Sequence, residues 1–140
     1  MRKIAVLLLA VLALIALGSV AYADEDTIGY VDDMLVLRQF SKFQQAQKQL
    51  EELDKRKSSA AKAEFDKETD EVKKRNIIEK LQTEMREEEA KLMNPVLKEV
   101  SDTVSKVAKQ KGVTLVLNKL LVYYGGIDLT QDVINALKTN

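Results

Sequence analysis

The 140-residue chain sets 22 Lys and Arg against 22 Asp and Glu and contains neither histidine nor cysteine. Without a basic surplus, nucleic acid is a poor partner, because binding phosphates demands one. Without His or Cys, the commonest acid–base groups, thiol nucleophiles, disulfides and zinc ligands are missing, so a soluble binding or structural protein is expected.

Residues 1–23 read as an export signal. Arg2 and Lys3 are followed by 14 apolar residues, Ile4 to Leu17, and then by small residues at Ala21 and Ala23. The apolar run falls short of the roughly 20 residues that span a membrane, so cleavage between Ala23 and Asp24 is expected. No cysteine follows to carry a lipid anchor. The expected product is an exported protein, soluble once cut, whose membrane contact is at most peripheral. Losing Arg2 and Lys3 leaves 20 basic residues against 22 acidic ones, a net charge of −2 on residues 24–140. Those residues are read as one domain: a body of residues 24–42 and 95–140, and a helical arm of residues 43–94.

Ile28-Gly29-Tyr30-Val31 is a β-prone run, and Asp32-Asp33 is placed to cap a helix starting at Met34. From Asp33 to Asn94 there is no glycine or proline, which predicts very long helices. Apolar residues recur there in steps of three and four: Phe43, Ala46, Leu50, Leu53, Lys57, Ala60, and later Ile78, Leu81, Met85, Glu88, Leu92. That rhythm makes a narrow coiled-coil seam. Pairing Ala60 with Ile78, Lys57 with Leu81, Leu53 with Met85, Leu50 with Glu88 and Ala46 with Leu92 makes every pair of numbers total 138. The fold class expected is therefore α+β, with a long antiparallel helical hairpin, its tip near Thr69, on a small β-rich oligomerisation body. Each arm would reach roughly 40 Å at about 1.5 Å per residue.

Beyond the hairpin, Pro95 marks a kink or a fresh helical start, and Val96, Val100, Val104 and Val107 continue the apolar stripe. Gly112 fits a helix C-cap. Val113–Leu117 and Leu120–Tyr124 read as two strands joined at Asn118-Lys119 and ended by Gly125-Gly126. Thr130 is placed to cap a last helix with Asp132 in its first turn and Val133, Ile134 and Leu137 on its apolar face. The two strand runs are almost continuously apolar, so both their faces should be covered, one of them by neighbouring chains. The expected oligomer interface is Ile28, Tyr30, Leu115, Leu117, Leu121, Val122 and Tyr123.

Taken together, the export signal, the strand Ile28–Asp32, the charged hairpin, the return Val104-Ser105-Lys106-Val107-Ala108-Lys109-Gln110-Lys111-Gly112, the strand Leu115-Val116-Leu117, Tyr123-Tyr124 and the closing Asp128-Leu129-Thr130-Gln131-Asp132-Val133-Ile134 resemble the Skp/OmpH family of periplasmic chaperones. The resemblance covers residues 24–140 and is most specific from Val104 to Leu137. It implies a homotrimer whose small β-rich body projects three hairpins around a cavity. Unfolded outer-membrane β-barrel proteins are held there, without ATP, until they are handed on. Two features depart from the best-known members. The arms look shorter, and the chain is near neutral where those members are strongly basic, so no lipopolysaccharide-binding residues are carried over.

A holdase of this kind needs many weak contacts acting together, which sparse apolar groups on charged arms supply. Off-seam candidates for client contact are Ala61, Phe65, Val72, Ile77 and Met93; equally, Phe65 and Val72 could plug the hairpin tip and Met93 fill a seam irregularity. The competing reading is an exported coiled-coil adaptor or structural protein of the cell envelope. Catalysis is not expected: Glu87-Glu88-Glu89 and Asp32-Asp33 fit a solvated arm and a helix cap, and Gly125-Gly126 lacks a phosphate-loop context. No catalytic, cofactor or metal residues are assigned.

Overall fold

Asp32 closes the first strand and opens the first helix. In the computed structural model, which describes residues 27–139, β1 (Ile28–Val31) leads directly into α1 (Asp33–Gln39). The Asp32 carboxylate accepts from the Leu35 N–H at 3.0 Å, so it caps α1 as the sequence led one to expect. Phe40 alone, extended and buried, separates α1 from α2 (Ser41–Phe65). The signal segment and its cleavage site at Ala23 and Asp24 lie outside the described residues.

After α2 the chain turns through residues 66–70 into α3 (Glu71–Gln110). Glu68 accepts from the N–H groups of Thr69 and Asp70 at 2.9 and 3.0 Å, and Asp70 caps α3 by accepting from Val72 and Lys73. These carboxylates satisfy donors that a helix end leaves open, which is why a polar segment stops one helix and starts the next without glycine.

Pro95 starts no new helix; α3 runs through it for 40 residues. Buried Val96 and the partly buried Leu92 and Met93 pack against the core on either side of it. That packing offsets the single hydrogen bond that proline removes. Gly112 ends α3 as expected, with φ +68°. The Val113 N–H reaches back to the Ala108 carbonyl at 2.9 Å and the Gly112 N–H to that of Lys109 at 3.3 Å, a Schellman ending that buries Val113 beside Ala108.

The sheet has three parallel strands in the order β2-β1-β3, where β2 is Leu115–Asn118 and β3 is Ile127–Asp128. Ile28 pairs with Leu115, Tyr30 with Leu117 and with Asp128. The expected strand Leu120–Tyr124 does not form. Asn118 accepts from the Leu120 N–H at 2.8 Å and bends Lys119–Leu121 into a 3₁₀ turn. Gly125 and Gly126, at φ +78° and +85°, then carry the chain across to the far edge of β1. A side chain at Gly126 would meet the Ile28 carbonyl and the Tyr30 ring at 3.3 Å, so glycine permits that close crossing. With strands of four, four and two residues, the body is less β-rich than expected, and the protein is mostly helical.

Helices cover one face of this sheet. Gly29 and Val31 point inward, where a Cβ on Gly29 would lie 3.0 Å from Leu129 and Val113. Val36, Phe40, Val96, Val107 and Ala108 join them from α1 and α3, and α4 (Thr130–Lys138) adds Val133, Ile134 and Leu137. Thr130 is not the cap of α4. Asp128 accepts from the Thr130 N–H at 2.9 Å, while the buried Thr130 hydroxyl accepts from the Asp32 N–H at 3.0 Å. Its hydroxyl thus ties the last helix to the first strand's end, a contact across the chain that local spacing does not reveal.

Candidate functional site

Two surfaces carry the expected functional residues: the α2–α3 pair and the uncovered face of the sheet. α2 and α3 are joined by two ion pairs, Lys42–Glu99 at 2.7 Å and Lys57–Glu84 at 2.6 Å. In both pairs the residue numbers total 141. Glu84 lies three positions from Leu81 on the same face of α3, so the Lys57 ammonium reaches a carboxylate one turn along while sharing a cleft with Leu81. The Lys57 hydrogen bond and its charge hold the Glu84 carboxyl below its ordinary value.

Toward the turn, the inward residues differ by one position from those of the expected seam. Ala60 and Ile78 are exposed, whereas their neighbours Ala61 and Ile77 are half-buried and line a small cleft with Lys57, Leu81 and Glu84. Of the client-contact candidates, Ala61, Phe65 and Ile77 are thus half-buried, and Phe65 also lies 5.3 Å beneath the Lys74 ammonium. Met93 is half-buried against the core. Val72 alone of the five is mainly open to solvent, at 56%.

The outer face of the sheet carries Ile28, Tyr30, Leu115 and Leu117, because strand side chains alternate between faces. Ile28 and Leu115 are exposed, Tyr30 and Leu117 half-buried, and among the described residues none of the four belongs to the core. Leu121 and Tyr123 are exposed and Val122 half-buried in the loop that follows. Leu120 and Tyr124, also fully in solvent, were not among the interface candidates. Their signal was the apolar run itself, closed off by Asn118 and by two glycines.

A polar network fixes this loop to the body. Lys119 pairs with Asp32 at 3.3 Å, and the Asn118 amide donates to Asp33. The Leu35 N–H, helped by Lys119, holds the Asp32 carboxyl below its ordinary value against the opposing effect of burial. Burial pushes the Asp128 carboxyl up, but hydrogen bonds from the Thr130 hydroxyl and N–H, the Lys119 charge and the Tyr30 hydroxyl together bring it below the ordinary value. Lys111 and Asp132, 2.9 Å apart, tie the end of α3 to α4. Among the described residues, no group of three or more His, Cys, Asp or Glu side chains is placed to hold a metal ion, and no helix is long and apolar enough to cross a membrane.

No curated protein matches the chain. The family model of outer membrane protein (OmpH-like) matches residues 74–137, which takes in nearly all of α3, the sheet strands β2 and β3 and most of α4. Over those residues the chain is similar to the OmpH-like family, in line with the Skp/OmpH resemblance read from the sequence.

Proposed function

We propose that the chain is an ATP-independent periplasmic holdase, cut after Ala23, that binds unfolded outer-membrane proteins between helical arms and keeps them from aggregating. The observation that carries this reading is the OmpH-like match over residues 74–137, because it joins the long helix α3 to the sheet and closing helix in one unit. The arms are antiparallel hairpins of α2 and α3. The constant total of 141 in Lys42–Glu99 and Lys57–Glu84 supports this, since α3 numbers fall as α2 numbers rise. No fully buried residue occurs between Ala46 and Val96, so the hairpin stands clear of the core. The 20 residues from Ala46 to Phe65 extend it roughly 30 Å.

The body joins copies through the uncovered sheet face, and the family resemblance makes the assembly a trimer. Client contacts are individually weak and gain strength because several arms bind one chain. Val72 is the most accessible of the proposed contacts; Ala61, Phe65, Ile77 and Met93 add apolar surface along the hairpin.

The decisive test compares the full chain with a form in which a short glycine-rich link joins Gln49 to Leu92. These two residues total 141, so the cut follows the observed pairing and spares buried Ala46. The shortened form should stay folded and oligomeric but lose most of its ability to keep unfolded β-barrel proteins soluble, with ATP making no difference to either form. If the armless body protects clients as well as the full chain does, the holdase reading fails and the envelope-adaptor reading replaces it.

A further inference from the structure

The body carries a projecting loop and an empty groove, and neither satisfies the other within one chain. The groove, about 610 Å³, lies between α3 and β2 and is lined by Leu37, Leu97, Val100, Val104, Val116 and Leu117. That volume falls in the range of well-formed binding clefts. β2 is an edge strand with only β1 beside it, so the groove opens along an unextended sheet edge. The loop begins directly after β2. Leu120 is 86% exposed, Leu121 71%, Tyr123 105% and Tyr124 99%.

Large apolar side chains this exposed are normally scattered singly, not gathered on one short loop. Nor is this loop loosely attached. The Leu120 N–H bond to Asn118, the Asn118 amide on Asp33 and the Lys119–Asp32 pair anchor its base. An anchored segment loses less freedom on binding than a floppy one, which favours affinity.

We propose that residues Leu120 to Tyr124 of one copy seat in the groove between α3 and β2 of the next copy. The inference rests on the oligomeric reading above and adds a second contact beside that of the sheet face. Each tyrosine can bury roughly 150–250 Å². With the two leucines beside them, this covers much of the roughly 800 Å² per partner that a stable interface needs. The groove suits tyrosine in kind as well, since Ser101, Ser105 and Lys109 on its rim offer polar partners to phenol hydroxyls that an all-apolar slot would strand. Loop and groove are different surfaces of the same chain, so the contact is head-to-tail and must close into a ring to avoid growing into filaments.

The native chain contains no cysteine, which makes thiol cross-linking specific to the positions introduced. Ser105→Cys reports the groove and Tyr124→Cys the loop, with Leu120→Cys as a second loop reporter that leaves both tyrosines in place. With a short bismaleimide, each single variant should remain un-cross-linked, because like does not meet like. A mixture of groove and loop variants, after subunit exchange, should give a cross-linked pair. The double variant should give a covalent species of the native oligomer's mass. Tyr123→Ser with Tyr124→Ser, made in the full chain without cysteines, should shift the mass toward a single chain while the helical signal stays.

If the wild-type chain is oligomeric and holds clients, yet cross-links appear only between like positions or not at all, the docking is overturned and the holdase reading stands. The docking is equally overturned if the tyrosine variant keeps its mass. It is overturned too if Val104→Glu lowers client holding without changing mass, since the groove would then be a client site. A wild-type chain that stays monomeric and holds no client overturns the oligomeric holdase reading itself.

Discussion

The α2–α3 pair and the body bury their apolar residues in opposite ways. Beyond Ala46 and before Val96 no side chain is fully buried, and Lys57 and Glu84 meet inside the contact itself. In the body, Val31, Val36, Leu129, Val133 and Ile134 are almost completely enclosed. Stability is therefore concentrated at one end of the protein, and the other end is held by a thin seam with charge inside it. A region with few buried apolar contacts opens at lower free energy than the core does, which is what the proposed client-holding role would need.

Equivalent truncations should break that symmetry most visibly. Ile134→Ala in the body removes a buried side chain and should destabilise the protein by about 2–5 kcal/mol, measured by chemical denaturation. Leu53→Ala in the half-buried seam should cost only about 1 kcal/mol. Its effect should fall on hydrogen exchange of α2 and the facing part of α3, with little change at β1 and α4. Equal losses at both positions, or exchange rates that rise uniformly, would mean that the two regions unfold as one unit and that the contrast drawn here is wrong.

A smaller effect should come from acid. Asp32 and Asp128 both have carboxyls held below their ordinary values, so they favour the folded state above the ordinary carboxylate range. That contribution is lost as pH falls through their lowered values. Asp32→Asn keeps a helix-capping side chain but no longer titrates and no longer pairs with Lys119. Its melting temperature should be slightly below wild type at neutral pH and should fall less steeply on acidification. Glu84, held down by Lys57 between α2 and α3, loses its contribution in the same way, so acid should weaken both regions. A variant curve parallel to wild type throughout would remove Asp32 from the account.

Much of this protein was legible before any coordinates, where short-range chemistry decides the outcome. The Asp32 cap, the Gly112 ending and the polar stop between α2 and α3 depend on residues within one turn of each other. The strand β1 and most of β2 fall within the apolar, β-prone runs Ile28–Val31 and Val113–Leu117. The failures share a different cause. Leu120–Tyr124 has the composition of a strand, but one Asn118 side chain and two left-handed glycines turn it into a projecting loop.

Three- and four-residue spacing along the helices established that α2 and α3 would have a seam. It did not reveal that the Lys57 ammonium would come within 2.6 Å of Glu84, because spacing along one helix does not say which charges of the other it meets. The folded chain also set Thr130 on the Asp32 N–H, 98 positions away, and left the groove beside β2 open. Periodicity and caps are encoded locally. Register, long-range hydrogen bonds and empty clefts depend on how distant segments meet, and the tertiary structure alone determines that.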